Sequence, residues 1–305
     1  MESFDPVTRQ GVSISNLFWI ELAISGLLLA LVVGVLATAL VRFRARAGDT
    51  TEPRQVHGNP RLEVIWTATP AATLLVMFIL VVATMRTVDT EQANAQPLIV
   101  TGHQWWWQYA YPNQQAVTAN ELHVPVGTPL QISLESIDVI HSFHVPHFGW
   151  MQDAIPGKTN TMWVIVDRAG TYDGECNQYC GLQHAWMRIS VVAQPTDQFN
   201  AWVQQQAQPA APSGSRGEQV FLQSTCVSCH AIRGVTPANP NVGPDLTHVG
   251  GRATLGSGVI DNTPAMLKAW ISNPQAIKPG VLMPAFASLT DTDLNALVDF
   301  LESLK

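Results

Sequence analysis

Two long apolar runs constrain this chain more than any other feature. Leu17 to Val41 carries a single charge, Glu21, and Val64 to Met85 carries none. Each exceeds the ~20 apolar residues that cross a bilayer as a helix. The segment between them holds Arg42, Arg44, Arg46, Arg54 and Arg61, whereas the far flanks offer only Arg9 and Arg86. The positive-inside bias therefore predicts a cytoplasmic loop with both termini outside. No charged n-region with a short apolar stretch precedes residue 17. The first helix is thus expected either to insert unaided or to follow a removed leader.

Everything after Arg86 is then extracytoplasmic, where spare cysteines normally pair into disulfides. From Asp89 onward Asp and Glu outnumber Lys and Arg, and the whole chain has a net charge of −7. That balance disfavours nucleic acid and favours basic partners. Between Pro97 and Val192, β-branched and polar residues alternate between Pro and Gly breaks, predicting an all-β sandwich or barrel. The stretch from Gln204 to Arg216 is rich in Gln, Ala, Pro, Ser and Gly. It reads as a flexible linker with a root-mean-square span of about 20 Å. The last segment opens with a short helical stretch through Val220 and Phe221. It closes with Leu294, Leu297, Val298 and Leu301 at i, i+3, i+4 and i+7, with Thr290 as N-cap and Asp293 in the first turn. His248 reads as a surface residue.

All four cysteines lie in two short runs. Cys226-Val-Ser-Cys229-His230 is the c-type haem attachment pattern, two thiols for thioether bonds and an imidazole for iron. The same pattern also occurs as a zinc half-site or redox pair. The other run, from Cys176 through Cys180 and His184 to Met187, sets two thiolates, an imidazole and a thioether on one loop, a soft set suited to copper. A spacing of four lets both sulfurs face one point, and two bridging thiolates suit a pair of coppers. A further histidine is expected from an earlier strand, with His141 the best candidate and His144 and His147 competing. The alternative is a Cys176–Cys180 disulfide with Met187 in the core and His184 on the surface.

With these motifs in place, the chain resembles subunit II of cytochrome c oxidase. The matching residues are Glu63-Val-Ile-Trp-Thr-Ala-Thr-Pro70, Gly102-His-Gln-Trp-Trp-Trp-Gln-Tyr109, His141-Ser-Phe-His-Val-Pro146, Asp153-Ala-Ile-Pro-Gly157 and the Cys176 to Met187 loop. The resemblance covers Leu17 to about Val192. It implies a cupredoxin holding the binuclear CuA centre, with Cys176 and Cys180 bridging. His141 and Met187 would serve one copper, and His184 with the backbone carbonyl of Gln178 the other. Gln178 stands where the family often has glutamate, so the carboxylate for an additional magnesium or manganese is missing and that metal stays unassigned. Trp105, Trp106, Trp107 and Tyr109 read as one strand, with Trp105 and Trp107 on one face. The family match nominates Trp105 as the point where electrons enter. Glu63 is explained by the helix dipole, and its family counterpart marks the entrance of a proton pathway.

Gly243-Pro244, Gly251-Arg252, Trp270, Asn273-Pro274 and Lys278-Pro-Gly-Val-Leu-Met283-Pro resemble the class I cytochrome c pattern. By that resemblance His230 and Met283 are the axial ligands, the Pro244 carbonyl orients His230, and Arg252 pairs a haem propionate. A methionine sixth ligand would raise the potential.

The expected organisation is an outward N-terminal segment (1–16), transmembrane helices (17–41 and 64–86) around a cytoplasmic loop (42–63), a cupredoxin domain (87–203), a linker (204–216) and an all-α cytochrome c domain (217–305). The implied protein is the electron-input subunit of a caa-type respiratory oxidase in a bacterial cytoplasmic membrane. It would carry covalent haem c and CuA, with subunits I and III as partners and an external cytochrome or quinol-cytochrome c reductase as donor. Proton translocation would follow in subunit I. The rivals are the equivalent subunit of a nitric oxide reductase and a membrane-anchored disulfide or zinc protein. A quinol oxidase subunit would lack these copper ligands.

Overall fold

The computed structural model describes residues 4–44, 47–48, 52, 55, 58–237 and 240–305. Two compact bodies emerge, one comprising Val12–Thr90 and the other the residues up to Gly11 together with Glu91–Lys305.

The first body is a pair of long helices. Helix α1 spans Arg9–Arg42 and α2 spans Pro60–Asp89, both longer at each end than the apolar runs suggest. Helical hydrogen bonding continues through the polar flanks at no desolvation cost. Leu27, Leu29, Leu40, Val64 and Phe78 are exposed, a distribution that suits lipid rather than water. Asn59 caps α2, accepting the amides of Arg61 and Leu62, while the Glu63 carboxylate accepts the Asn59 amide at 3.2 Å. Arg46 and Arg54 of the basic loop lie outside the described residues.

The N-terminal segment is more than an outward tail. Val7 is buried, its amide donates to the His147 carbonyl, and its own carbonyl accepts the Asp167 amide. Thr8 donates to the Phe148 carbonyl at 2.7 Å, and Arg9 pairs with Asp167. Residues preceding the first helix are thereby stitched into the β domain.

That domain is a sandwich of ten strands. They are β1 (Gln96–His103), β2 (Trp106–Tyr111), β3 (Ala116–Ala119), β4 (Glu121–Pro125), β5 (Leu130–Ser136), β6 (His141–His144), β7 (Met151–Ala154), β8 (Asn160–Val164), β9 (Gly170–Cys176) and β10 (Arg188–Gln194). One sheet has the order β3-β2-β1-β5-β8 and the other β4-β10-β9-β6-β7. Strand β5 shows strict alternation of buried and half-buried residues, as a strand with one face on a core requires. Trp107, Tyr109, Leu98, Ile132, Leu134 and Phe143 fill the space between the sheets.

Helix α3 (Thr196–Ala207) packs Phe199 and Val203 against this core, so the domain runs past residue 203. The segment after α3 is no free leash. The Arg233 guanidinium donates to the carbonyls of Gln206 and Ala207, the Arg233 carbonyl accepts the Ala210 amide, and Ser213 bonds the Glu218 carboxylate. Composition suggests flexibility, but side chains distant in sequence satisfy this backbone. His248 is one of them. It is buried, with its ring nitrogens each 3.0 Å from the carbonyls of Lys305 and Gln208, so its surface assignment is corrected.

The C-terminal region is helical: α4 (Arg216–Gln223), α5 (Pro264–Ser272), α6 (Pro274–Ile277) and α7 (Asp291–Ser303). Thr290 caps α7 by accepting the Asp293 amide, and Leu294, Leu297, Val298 and Leu301 are buried on one stripe. They pack with Phe221, Ile232, Leu267 and Ile271 into a second core.

Candidate metal centre and haem cavity

The ligand-bearing loop hangs from the second sheet. Cys176 ends β9, pairs with Phe143 of β6 and donates its amide to the Met187 carbonyl at 3.0 Å. This pairing sets His141, at the start of β6, beside the thiol. Cys176 Sγ lies 3.8 Å from His141 Nδ1, 3.8 Å from Cys180 Sγ and 3.3 Å from the Gln178 carbonyl oxygen. Cys180 Sγ lies 3.6 Å from His184 Nδ1 and 3.9 Å from Met187 Sδ. The other four nominated donors therefore converge on the two cysteine sulfurs. His144 and His147 do not. The first faces Glu175 and the second makes a tilted ring contact with Tyr172.

The set fits copper. The sulfurs are well beyond the ~2.05 Å of a disulfide, yet near enough for both to reach one ion at the roughly 2.3 Å of a thiolate–metal bond. Structural zinc sites take Cys and His, whereas methionine beside cysteine and two histidines is the donor set of copper electron-transfer sites. Electrostatics agree. The hydrogen bond with Cys180 holds the Cys176 thiol down, against burial and with help from His141, while the same bond and burial push Cys180 up.

Asp138 belongs to none of the sequence motifs, yet it holds the site. Its carboxylate lies 2.8 Å from His141 Nε2 and accepts the amides of Gln104 and Val139, each at 2.6 Å, which leaves Nδ1 to face the sulfurs. Burial lowers the His141 pKa, but Cys176 and Asp138 outweigh it and raise it overall. Gly102 packs beneath the same ring; a Cβ there would lie 2.7 Å from His141 Cδ2.

Trp105 is not in a strand. The ladder breaks after His103 and resumes at Trp106, so Gln104 and Trp105 form the turn. Their side chains both donate to the Cys180 carbonyl, at 2.6 and 2.9 Å. Trp106 stacks on His103, and Trp107 is fully buried against Phe143.

The haem motif lines a cavity of about 400 Å³. Cys226, Cys229, His230, Pro244, Arg252 and Met283 contribute to its wall, with Phe221, Leu267, Leu297 and Leu301 making most of it apolar. His230 Nδ1 lies 2.8 Å from the Pro244 carbonyl, an arrangement that frees Nε2. Burial pushes the His230 pKa down, favouring the neutral imidazole a metal needs. Gly243 lies against the ring, where a Cβ would meet Cε1 at 2.6 Å. Arg252 donates to the Asp245 carbonyl, while its buried Nε has no hydrogen-bond partner among the described residues, suiting an anionic substituent. Gln104, Trp105, Trp106 and Gln183 of the sandwich line the same cavity.

Comparison with known proteins agrees with this architecture. Residues 8–87 match the transmembrane domain of cytochrome c oxidase subunit II, residues 116–194 its periplasmic domain, and residues 214–305 match cytochrome c. Cytochrome c oxidase subunit 2 of Alkalihalophilus pseudofirmus is 33% identical over all of this chain and 91% of its own. This chain belongs to the cytochrome c oxidase subunit II family. The subunit 2 proteins of Bacillus sp. PS3 and Bacillus subtilis are 32% and 31% identical, over 86% and 87% of this chain and 80% and 81% of theirs. As a subunit II, the chain carries a fused cytochrome c domain and two apolar helices that anchor it to a membrane. It is part of a haem-copper oxidase and so associates with subunit I. Its families imply copper and haem c.

Proposed function

We propose that this subunit is the electron input of a dioxygen-reducing, proton-translocating oxidase. Electrons would travel from haem c to a binuclear CuA centre and on to the haem of subunit I. Its copper and haem domains stand on the periplasmic or outer side of a bacterial cytoplasmic membrane, beside subunits I and III. An external cytochrome or quinol-cytochrome c reductase supplies the haem with electrons.

When bound, the two groups supply reversible one-electron chemistry; the chain holds, orients and shields them. Cys226, Cys229, His230 and Met283 would hold haem c, Pro244 would fix the His230 ring, and Arg252 would pair with an anionic substituent of the haem. Cys176, Cys180, His141, His184, Met187 and the Gln178 carbonyl would hold the copper, with Asp138 orienting His141. Glu63 marks a proton entrance at the cytoplasmic end of α2.

One observation carries the reading. Trp105 lines the haem cavity while its indole N–H bonds the carbonyl of Cys180, so one side chain touches both sites. The test is Cys180→Ser in the purified oxidase. Copper absorption and dioxygen consumption should vanish while the haem c bands persist. Copper absorption that survives the substitution would refute the ligand assignment, and turnover of nitric oxide in place of dioxygen by the unmodified complex would refute the acceptor.

A further inference from the structure

Between the haem cavity and the copper loop sits a lysine to which neither site gives a role. Lys278 lies on the loop that leads to Met283 and is only 2% exposed. Its Nζ lies 3.0 Å from the Gly256 carbonyl, within the haem domain, and 3.5 Å from the Trp105 carbonyl of the sandwich. No carboxylate accompanies it among these contacts. Desolvation pushes its pKa down to about 8, with Cys180 opposing and Arg188 reinforcing the shift. An unpaired buried ammonium is costly, and an apolar side chain would fill the space at less cost.

Its neighbours continue the contact. The Pro279 carbonyl accepts the Gln183 side-chain amide, and Gly280 faces Gln183 so closely that a Cβ would lie 3.2 Å from its Nε2. Three consecutive residues of the haem domain thus grip the Trp105 turn and the copper loop. From the opposite side, buried Glu121 of the sandwich accepts the amide of Thr254 at 2.8 Å and its hydroxyl at 3.2 Å.

We propose that Lys278 is a positioning residue that seats the Met283 loop on the Trp105 turn, so that the haem domain delivers electrons from one fixed pose. This rests on the electron-input reading. The three ammonium N–H groups suit the task, since an ammonium donates to several carbonyls at once and accepts none. Trp105 offers its backbone to this contact and its indole to the copper loop, so a shift of the seat displaces both.

The experiment compares unmodified, Lys278→Met and Lys278→Arg oxidase complexes, injecting an electron into haem c with a photoexcited ruthenium dye. In Lys278→Met both spectra should keep their shape. The haem-to-copper rate should fall about tenfold or more, equivalent to about 1.4 kcal/mol, and amide exchange at 104–107 and 254–257 should quicken. Lys278→Arg should recover most of the rate because guanidinium also donates to carbonyls. A residue that merely filled space would show the reverse order, with methionine tolerated and the bulkier arginine harmful; that order, or an unchanged rate in Lys278→Met, overturns the proposal. Should Lys278→Met not assemble, Lys278→Leu, which likewise has no donor, takes its place with the same criteria. In the unmodified complex, unprotected exchange at 104–107 and 254–257 would overturn the seat without any variant. Missing haem or copper bands in the unmodified complex would defeat the electron-input reading, whereas intact bands with an unchanged rate defeat the role of Lys278 alone.

Discussion

Replacing Asp138 with asparagine tests how the copper site is held. The carboxylate serves His141 Nε2 at 2.8 Å and the amides of Gln104 and Val139 at 2.6 Å each, with the Ser136 hydroxyl more distant at 3.4 Å. The substituted side chain would be nearly isosteric, but it loses the charge and turns an NH2 group toward one of those donors. Leaving one donor unpaired costs about 1–3 kcal/mol. The change also frees the His141 ring to turn Nδ1 away from the sulfurs. Groups that hydrogen-bond metal-bound histidines are typically worth about 10–100-fold in metal affinity, or about 1.4–2.8 kcal/mol at tenfold per 1.4 kcal/mol. Competition against a copper chelator, followed through copper absorption, measures the loss. The haem bands serve as an internal control, because the haem motif lies in the other core. Copper affinity within about twofold of the unmodified subunit would refute the orienting role.

Gly243→Ala should push the His230 ring from its Pro244 acceptor, since the new Cβ would lie 2.6 Å from Cε1. Haem absorption should change or fall while copper absorption stays. Met283→Ala should lower the haem c midpoint in a redox titration, because a methionine ligand raises the potential. His248→Ala leaves the carbonyls of Lys305 and Gln208 without their ring partners, so thermal or denaturant unfolding followed at the haem bands should show a loss of about 1–3 kcal/mol.

Much of this was legible because the chemistry is contiguous in sequence. Cys176 to Met187 carries five of the six copper donors on one loop, and Cys226 to His230 is a single turn. The membrane helices were readable from apolar length alone, although their ends were not, since polar flanks extend a helix freely. What escaped was whatever depends on surfaces meeting. Nothing in the sequence marks Lys278 or Glu121, whose contacts form only where the haem domain meets the sandwich. The Gln204 to Arg216 stretch reads as flexible because Arg233 and His248, which bind its backbone, lie far along the chain. Trp105 reads as strand because alternation says nothing about where a ladder breaks. His141 was one of three competing histidines, and Asp138, three residues before it, was the available signal of which ring is oriented toward a metal.

The most direct measurement is the native mass of the subunit released intact from the purified oxidase. The account predicts the chain plus one covalent haem and a pair of copper ions, with no bond between Cys176 and Cys180. A chain without haem or copper, lighter by the hydrogens lost to two disulfides, would contradict it.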